Sequence, residues 1–589
     1  MSTGRASFGL DRPIGAWNVD LRDPAATRQA DALDAVLDVV DWVDRQARDG
    51  RWGVLLLPYE SAPAFDAALR VRSAAGPVPL AWAAAYATPD EGPAAVAGEA
   101  VSTEAVPTEE GVGPWVPAIT GARFAADIAR VLSHIAAGDT YQVNYTFPVE
   151  APFAADPWHW YRQVAEHAVV PYPAYIDLGS VVVMSLSPEL FLERSGSRLT
   201  ARPMKGTARR GRWLAEDERL ARDLAGDEKA RAENVMIVDL LRNDVGRLAE
   251  TGSVVVRDLC RLERYPTVWQ LTSTIEARLR SGTSLRDLLA ATFPCGSVTG
   301  APKVSTMGII AELEAAPRGL YTGAILLLEP GGDFVASVPI RTVVLDRRTR
   351  RATFGVGAGI TADSVAADEW AECIAKARVV RPPAVPDDAG LFETLRLENG
   401  VCARADAHLA RMCDSARLFG WTFDEEILRD TLRALARAHP QDCWRARLVL
   451  ARDGTVRGEA VPFDPSPQTW RVALAREPVD VRSPLVFNKT TCRAFYDVAV
   501  AAVPEVDDVL LWNARGELTE ATRANLIAVI DGVPVTPPIS SGLLPGVMRG
   551  DLLTRGDVEE RVLRIGDLRR ASAIWLVNSL RGRIDVTLV

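Results

Sequence analysis

The chain has 589 residues, of which 48% are apolar and 24% charged, and its formal net charge is −10. That length exceeds what one core normally holds and predicts two or three domains of a soluble globular protein. Interleaved acidic and basic residues on an acidic balance argue against a nucleic-acid partner. No run approaches the ~18 apolar residues of a spanning helix, so no membrane role is expected.

Residues 1–20 carry charges and no apolar stretch of signal-peptide length. Pro, Glu, Gly and Ala dominate residues 88–117, where periodicity fails, so a break is expected between an N-terminal part, 1–117, and a main part, 118–380. The main part carries Gly138-Asp139-Thr140-Tyr141-Gln142-Val143-Asn144, a predicted strand at 181–184, and Ser187-Pro188-Glu189-Leu190-Phe191. Next comes Arg202-Pro203-Met204-Lys205-Gly206-Thr207, a lysine in a turn-prone segment. A lysine acts as a nucleophile only when part of its population is neutral, which burial or positive charge from Arg202, Arg209 and Arg210 would favour. Alone, the segment reads more readily as an ordinary surface lysine.

Glu233 is expected to open a helix whose Val235, Ile237, Val238, Leu240 and Leu241 are buried. Pro294-Cys295-Gly296-Ser297-Val298-Thr299-Gly300-Ala301-Pro302-Lys303 and Ile340-Arg341-Thr342 follow. Gly355-Val356-Gly357-Ala358-Gly359-Ile360 reads as a glycine-rich turn whose bare amides suit an anion, or as a plain strand-to-helix turn. A helix over 369–380 puts Glu369, Glu372 and Lys376 on one face. Carboxylates from two helices suit Mg²⁺ that bridges to an anionic substrate, and the alternative is a solvated helix face.

Three prolines within 382–386 stop that helix and mark a linker, 381–389. A second domain of ordinary size, 390–589, begins there. It carries Gly390-Leu391-Phe392-Glu393-Thr394-Leu395, His408-Leu409-Ala410-Arg411-Met412, a predicted strand at 448–450 and Asn488-Lys489-Thr490. Residues 516–526, Gly542-Leu543-Leu544-Pro545-Gly546-Val547-Met548-Arg549 and Asn578-Ser579-Leu580-Arg581-Gly582 complete it. The halves share no repeat, and strands mix with helices in both, which predicts an α+β class. Seven cysteines lie scattered without metal-type spacing, a set that fits a reducing cytoplasm better than a disulfide framework.

In their order, the motifs from Gly138 to Ile360 resemble the chorismate-utilising enzymes, the family of anthranilate, isochorismate, salicylate and aminodeoxychorismate synthases. The match covers most of the first 380 residues and is dense from about 120 onward. The resemblance implies antiparallel sheets with helices and makes chorismate the expected substrate. Glu233 and Glu372 match Mg²⁺-binding glutamates and Glu369 an adjacent metal-shell position. Arg341 and Lys376 would pair with substrate carboxylates, while Tyr321, Thr299 and the amides of Gly357, Ala358 and Gly359 would line the pocket. Glu189 matches the acid that helps the C4 hydroxyl leave. Gln142 stands where the water-adding relatives carry a lysine base, which argues against isochorismate or salicylate synthesis. Lys205 stands where anthranilate synthases usually carry alanine, so the first half is most similar to the aminodeoxychorismate synthase branch. There, Lys205 would add at C2 and ammonia would then attack C4. The family draws ammonia from a glutaminase with a Gly-x-Cys-x-Gly elbow. Neither Cys295 in Pro-Cys-Gly-Ser nor Cys260 in Leu-Cys-Arg has that context, so a separate glutaminase is the expected partner.

The second set resembles the fold-type IV pyridoxal-phosphate enzymes: branched-chain and D-amino-acid aminotransferases and aminodeoxychorismate lyases. By motif, Lys489 looks like the cofactor-linking lysine, Glu520 like the partner of the pyridine nitrogen and Arg411 like the phosphate arginine. The amides of Val547 and Met548, with Ser579, would complete the phosphate cup. Read singly, Glu520 serves equally as a helix-start carboxylate and Arg411 as a solvated helix charge. The linker occupies the place of further strands in this family, which implies a shortened domain or strands borrowed from its neighbour. Relatives commonly form their sites near a dimer interface, so a homodimer is a further expectation. Co-residence of the halves implies a lyase that releases pyruvate from 4-amino-4-deoxychorismate to give 4-aminobenzoate, which serves folate biosynthesis or a secondary metabolite. The alternatives are an anthranilate synthase-like first half joined to an amino-acid aminotransferase, or one half that serves only as a scaffold.

Overall fold

Val181–Ser187 is buried along its whole length, as a central strand covered on both faces must be. It pairs antiparallel with Tyr172–Asp177 on one side and Thr342–Asp346 on the other. This places it inside a nine-stranded sheet, which faces a ten-stranded one that includes Leu190–Ser195, Arg198–Arg202 and Met204–Arg209. The computed structural model describes residues 5–9, 17–73, 76–87, 111–168, 170–377, 385–386, 388–466 and 468–589. The chain divides into two units, residues 1–209 with 221–382 and residues 210–220 with 383–589.

In the first unit every strand pair whose register is defined is antiparallel, and the earliest strands share the two sheets with the rest. Of the break expected over 88–117, residues 88–110 lie outside the described residues, and Val116–Pro117 pairs with the strand Gln142–Pro152. The helix Glu228–Gly246 is capped by Asp227, whose carboxylate accepts from the Ala230 amide at 3.0 Å. Ala230, Asn234, Ile237, Val238, Leu241 and Val245 form its buried stripe at helical spacing. Glu233 therefore sits in the second turn rather than opening the helix. Val235 is exposed and Leu240 half-buried, so two of the five residues expected in the core are not there. Both lie off the stripe.

The helix Ala366–Lys376 is anchored by Trp370, which stacks on Phe147 with centroids 5.1 Å apart, and by buried Cys373. Fixing that face leaves Glu369, Glu372 and Lys376 on another. The helical pattern beyond 377 and most of the linker, 378–384 and 387, lie outside the described residues.

The second unit has a four-stranded antiparallel sheet, Val401–Cys402, Leu391–Glu398, Cys443–Leu450 and Val456–Pro462 in spatial order, covered by two helices. One of these, Glu425–Ala438, opens with Glu425 and Glu426 and closes with Arg437, which suits its dipole, and it buries Leu428 and Leu432. Each buried leucine is worth about 1.5–3 kcal/mol. An eight-stranded mixed sheet follows, in which Thr469–Leu474 lies parallel to both Asp508–Trp512 and Gly582–Leu588. Among the described residues both sheets use only strands of their own unit, so the idea of borrowed strands is set aside. The architecture is α+β throughout. Among the described residues no helix is long and apolar enough to cross a membrane, and all seven cysteines are free.

Candidate active sites

Lys205 lies not in a turn but in the strand Met204–Arg209, which pairs with Val268–Arg278 through a register shift between Met204 and Thr207. Gly206 at φ +87° makes that bulge, and a bulge re-aims the adjacent side chain. The Asn234 amide donates to the Lys205 carbonyl at 3.3 Å and pins it from the helix. Burial lowers the Lys205 amine pKa below the ordinary lysine range; Glu233 and Glu189 oppose the shift and Lys376 adds to it. Two of the three expected arginines are engaged elsewhere: Arg202 pairs with Glu263, and Arg210 with Asp217 at 2.6 Å. Dehydration, not a neighbouring guanidinium, prepares this amine.

Gly355–Gly359 is likewise no turn. It is the interior of the strand Arg351–Ile360, paired residue for residue with Gln142–Pro152. Glycines 355, 357 and 359 share one face at strand period. A Cβ on Gly355 would lie 2.2 Å from the Tyr321 ring and one on Gly357 2.6 Å from Thr146. On Gly359 it would lie 2.4 Å from Gln142 Nε2 and 3.2 Å from Lys205 Nζ. The missing side chains form a trough that receives Tyr321, Gln142 and Lys205. Among the described residues both polar atoms of the Gln142 carboxamide are buried there without a partner, a costly state away from water.

Glu189, between Val181–Ser187 and Leu190–Ser195, is buried and accepts from Ser297 Oγ at 2.6 Å. Burial pushes its carboxyl up to about 7, against Ser297 and Lys205, so it holds a proton near neutrality. Arg341 takes a left-handed backbone, φ +51°, strain of a kind that gathers at functional positions. Burial lowers the Arg341 pKa, and among the described residues no carboxylate pairs with it. Lys376 Nζ reaches Glu372 at 2.6 Å and the Gly357 carbonyl at 2.9 Å. Thr299 is fully buried with its hydroxyl donated to the Cys295 carbonyl at 3.1 Å, so it shapes the loop. Burial pushes the Cys295 thiol up to about 12, which leaves it inert.

Burial raises the carboxyls of Glu233 and Glu369, and Glu372 adds to both, so the three form one acidic neighbourhood. Its all-oxygen donor set fits a hard divalent cation. The rotamers point elsewhere: Glu369 accepts from Ser364 at 2.7 Å and Glu372 faces Lys376. Among the described residues no three such groups converge closely enough to hold a metal.

Sequence reasoning missed the Glu314–Arg318 pair, buried at 2.7 Å. Arg318 donates to the carbonyls of Val298 and Asn144, and Glu314 accepts from Thr146, so the pair ties the loop of Ser297 to the strand of Gln142. Ser297 itself stood in the Pro-Cys-Gly-Ser motif, where its role could have been asked about.

In the second unit a cavity of about 540 Å³ holds Lys489, Glu520, Arg411, Val547, Met548 and Ser579 together. Lys489 Nζ lies 4.7 Å from the centre of the Phe392 ring, and burial, with help from Arg411, lowers its pKa to about 8. Glu520 accepts from Tyr496 Oη at 2.7 Å, Asn525 Nδ2 at 3.1 Å and the Leu544 amide at 3.1 Å, and burial pushes it up to about 7. It is a strand residue of Leu518–Ala521 and not a helix start. Gly546 caps the helix Val547–Arg555, and a Cβ there would come within 1.8 Å of Asn525 Oδ1. The first amides of that helix, from Val547 and Met548, open the helix N-terminus, a setting that suits an anion.

Arg411 donates through Nε and Nη2 to Glu393 at 2.8 and 2.6 Å and through Nη1 to the Pro545 carbonyl at 3.0 Å. Although burial would raise Glu393, Arg411 and His408 hold it at about 2. Arg411 is thus locked in place, not a solvated helix charge. Among the described residues His408 Nε2 is buried without a hydrogen-bond partner, and it belongs to a residue that lines the cavity. The cationic amide cup, the buried lysine and the buried carboxylate together fit pyridoxal phosphate.

The family model described as chorismate binding enzyme matches residues 25–382, well over half of the chain. The chain belongs to the chorismate-binding enzymes. A second family model, amino-transferase class IV, matches residues 390–589. The chain is 48% identical over 245 residues to an aminodeoxychorismate synthase of Streptomyces griseus, which covers 41% of this chain and 34% of that protein. It is 41% identical over 266 residues to anthranilate synthase component 1 of Aquifex aeolicus, 45% of this chain and 53% of that one. The chain thus spans from about a third to about half of these two relatives. Anthranilate synthase component I of Streptococcus pneumoniae superposes with a TM-score of 0.53 at 26% identity, covering 61% of this chain and 91% of that one.

Proposed function

We propose that this chain makes 4-aminobenzoate from chorismate in two steps, amination in the first unit and pyruvate elimination in the second. The observation that carries this reading is a buried, dehydrated lysine in each of two separate sites of one chain. In the first, neutral Lys205 attacks C2 of chorismate, the double bonds shift, and the C4–O bond breaks as Glu189 gives its proton to the leaving hydroxyl. Ammonia then bonds to C4 and the C2–Nζ bond breaks, which returns Lys205 and gives 4-amino-4-deoxychorismate. Arg341 and Lys376 hold the carboxylates, and Tyr321 walls the pocket. Glu233, Glu369 and Glu372 are the residues that would hold Mg²⁺, whose charge neutralises the ring carboxylate when bound.

Pyridoxal phosphate, when bound, supplies the electron sink for the second step. Glu520 would pair with the ring nitrogen, while the Val547 and Met548 amides, Arg411 and Ser579 would hold the phosphate. Lys489, with a pKa of about 8, is the group that takes a proton from substrate carbon and later returns one. A separate glutaminase is the partner that supplies ammonia, and the inert thiol of Cys295 supports that division.

The test is mass spectrometry of products from chorismate, ammonium and Mg²⁺. Without pyridoxal phosphate 4-amino-4-deoxychorismate should accumulate; with it, 4-aminobenzoate and pyruvate should appear in equal amounts. Formation of 2-aminobenzoate would sink the reading in favour of an anthranilate synthase-like first half. Deamination of amino acids without pyruvate release would assign the second unit to a transaminase.

A further inference from the structure

The sequence matched by the chorismate-binding model, residues 25–382, does not all fold into the first unit. Residues 210–220, which follow directly on the strand of Lys205, pack with residues 383–589. They form a stiff knuckle where the helix Leu214–Gly226 begins. Arg210 grips the buried Asp217 carboxylate through Nε at 2.8 Å and Nη2 at 2.6 Å. Arg212 grips buried Glu216 in the same way, through Nε at 3.1 Å and Nη2 at 2.8 Å. The two carboxylates also accept from the Gly211 and Arg212 amides, both at 2.7 Å. Two-pronged pairs of this kind fix a direction as well as a distance. A Cβ on Gly211 would lie 2.2 Å from the Asp217 nitrogen, so the knuckle leaves no room for a side chain there.

The knuckle holds two walls of the second site. Arg210 Nη2 donates to the Leu418 carbonyl at 3.2 Å, near the end of the helix Ala405–Phe419 that carries Arg411. Arg212 Nη1 donates to the Val481 carbonyl at 3.1 Å, in the loop that leads to Lys489. The Trp213 ring lies over buried Phe487, with centroids 4.9 Å and planes 32° apart, and the Arg212 guanidinium lies 4.9 Å from the centre of the same Phe487 ring. Asn488 is buried too. Its Nδ2 donates to the Arg212 carbonyl at 2.9 Å and the Pro484 carbonyl at 2.8 Å, while its Oδ1 accepts from Ser415 Oγ at 2.8 Å. Both protons and the oxygen of this carboxamide are thereby used. The next residue is Lys489, whose own carbonyl accepts from the Phe392 amide at 2.9 Å. The backbone of Lys489 is therefore held by the knuckle, through Phe487 and Asn488, and by the strand Leu391–Glu398.

We propose that Arg212 and Trp213 are positioning residues of the second site, which fix the Lys489 backbone through Phe487 and Asn488 and so aim its amine into the cavity. A segment that reads in sequence as part of the amination half is then needed by the other half. This rests on Lys489 as the cofactor-linking lysine of the reading above.

The experiment uses the full chain freed of pyridoxal phosphate. An amine-selective acylating reagent is applied across a range of pH, and the labelled fraction of Lys489 is read by peptide mass spectrometry. The wild-type midpoint should fall near the lowered value of about 8. Trp213→Leu keeps bulk but removes the ring, so water should reach the amine and the midpoint should rise by about one unit toward the ordinary lysine value. Arg212→Met should move it the same way, whereas Trp213→Phe, which restores a ring over Phe487, should keep it near the wild-type value. Affinity for pyridoxal phosphate should fall about tenfold in the first two variants and recover in the third. Unchanged midpoint and affinity in both Trp213→Leu and Arg212→Met would overturn the assignment. So would an equal rise in the midpoint of Lys205, because a general loosening of the chain, and no hold on one site, would then be the cause. Should Trp213→Leu not fold, Arg212→Met decides by the same two readings. If the wild-type chain releases no pyruvate from 4-amino-4-deoxychorismate, the lyase reading fails, while the labelling still decides what holds Lys489.

Discussion

The two lysine sites solve one problem in opposite electrostatic settings. Lys205 is ringed by Glu189, Glu233 and Glu372, whereas Lys489 shares its cavity with six arginines. Burial lowers the amine in both, yet Lys205 stands among acids that would raise it and Lys489 beside an arginine that lowers it further. The acid-rich setting suits a site that reaches its anionic substrate through a divalent cation. The cation-rich setting suits one that grips phosphate and carboxylates directly. A net charge for the whole chain hides this division.

The sharpest way to break the comparison is to remove each lysine. Lys205→Ala should cost amination about a thousandfold or more, the scale of losing a nucleophile, while the visible absorbance of bound pyridoxal phosphate stays. Lys489→Ala should lose that absorbance and leave the chain accumulating 4-amino-4-deoxychorismate from chorismate and ammonium. Undiminished 4-aminobenzoate from Lys489→Ala would mean that the two sites are not divided as proposed. Gly359→Ala probes the trough without touching a charge. Its Cβ would press on Gln142 at 2.4 Å and Lys205 at 3.2 Å. A displacement of that size should cost the first reaction on the order of a hundredfold and leave the second alone, measured as chorismate consumption against pyruvate release from supplied 4-amino-4-deoxychorismate.

Glu372→Gln should raise the Mg²⁺ concentration for half-maximal amination about tenfold or more, with no effect on the second site; metal titration in both assays decides. The smallest effect concerns protons. Glu189 must be protonated to serve as an acid and its pKa is about 7, so amination should fall as pH rises through about 7. Ser297 stabilises the ionised form, and Ser297→Ala should therefore move that limb to higher pH by up to about one unit. A limb that stays in place, or that survives in Glu189→Gln, would remove Glu189 from this role.

The residues that the structure gathers into the two sites were legible in the sequence because they stood in short motifs. Lys205, Glu189, Lys489 and Glu520 each stood in such a motif, and the structure gathers them into two places. Their backbone settings were not legible. Gly206 and the Gly355–Gly359 run look like turn residues by composition. Only pairing with Val268–Arg278 and Gln142–Pro152, strands distant in sequence, makes one a bulge and the other a strand. Val235 was misplaced because an apolar residue next to a buried stripe resembles a member of it. The Glu314–Arg318 pair gave no signal, since its value lies in carbonyls of Val298 and Asn144 that local reasoning cannot bring together.

The free thiols extend the contrast between the units to chemical damage. Cys260, Cys295 and Cys373 of the first unit are all buried, whereas of the four in the second only Cys413 is buried; Cys402, Cys443 and Cys492 are partly exposed, and Cys492 lines its cavity. An alkylating or oxidising agent should therefore find the elimination step and pass the amination step by. Under such stress the chain would not simply stop. On the two-step function proposed above, it would keep drawing on chorismate and release an unfinished amino intermediate, so that sulfhydryl sensitivity becomes a label for which half is at work.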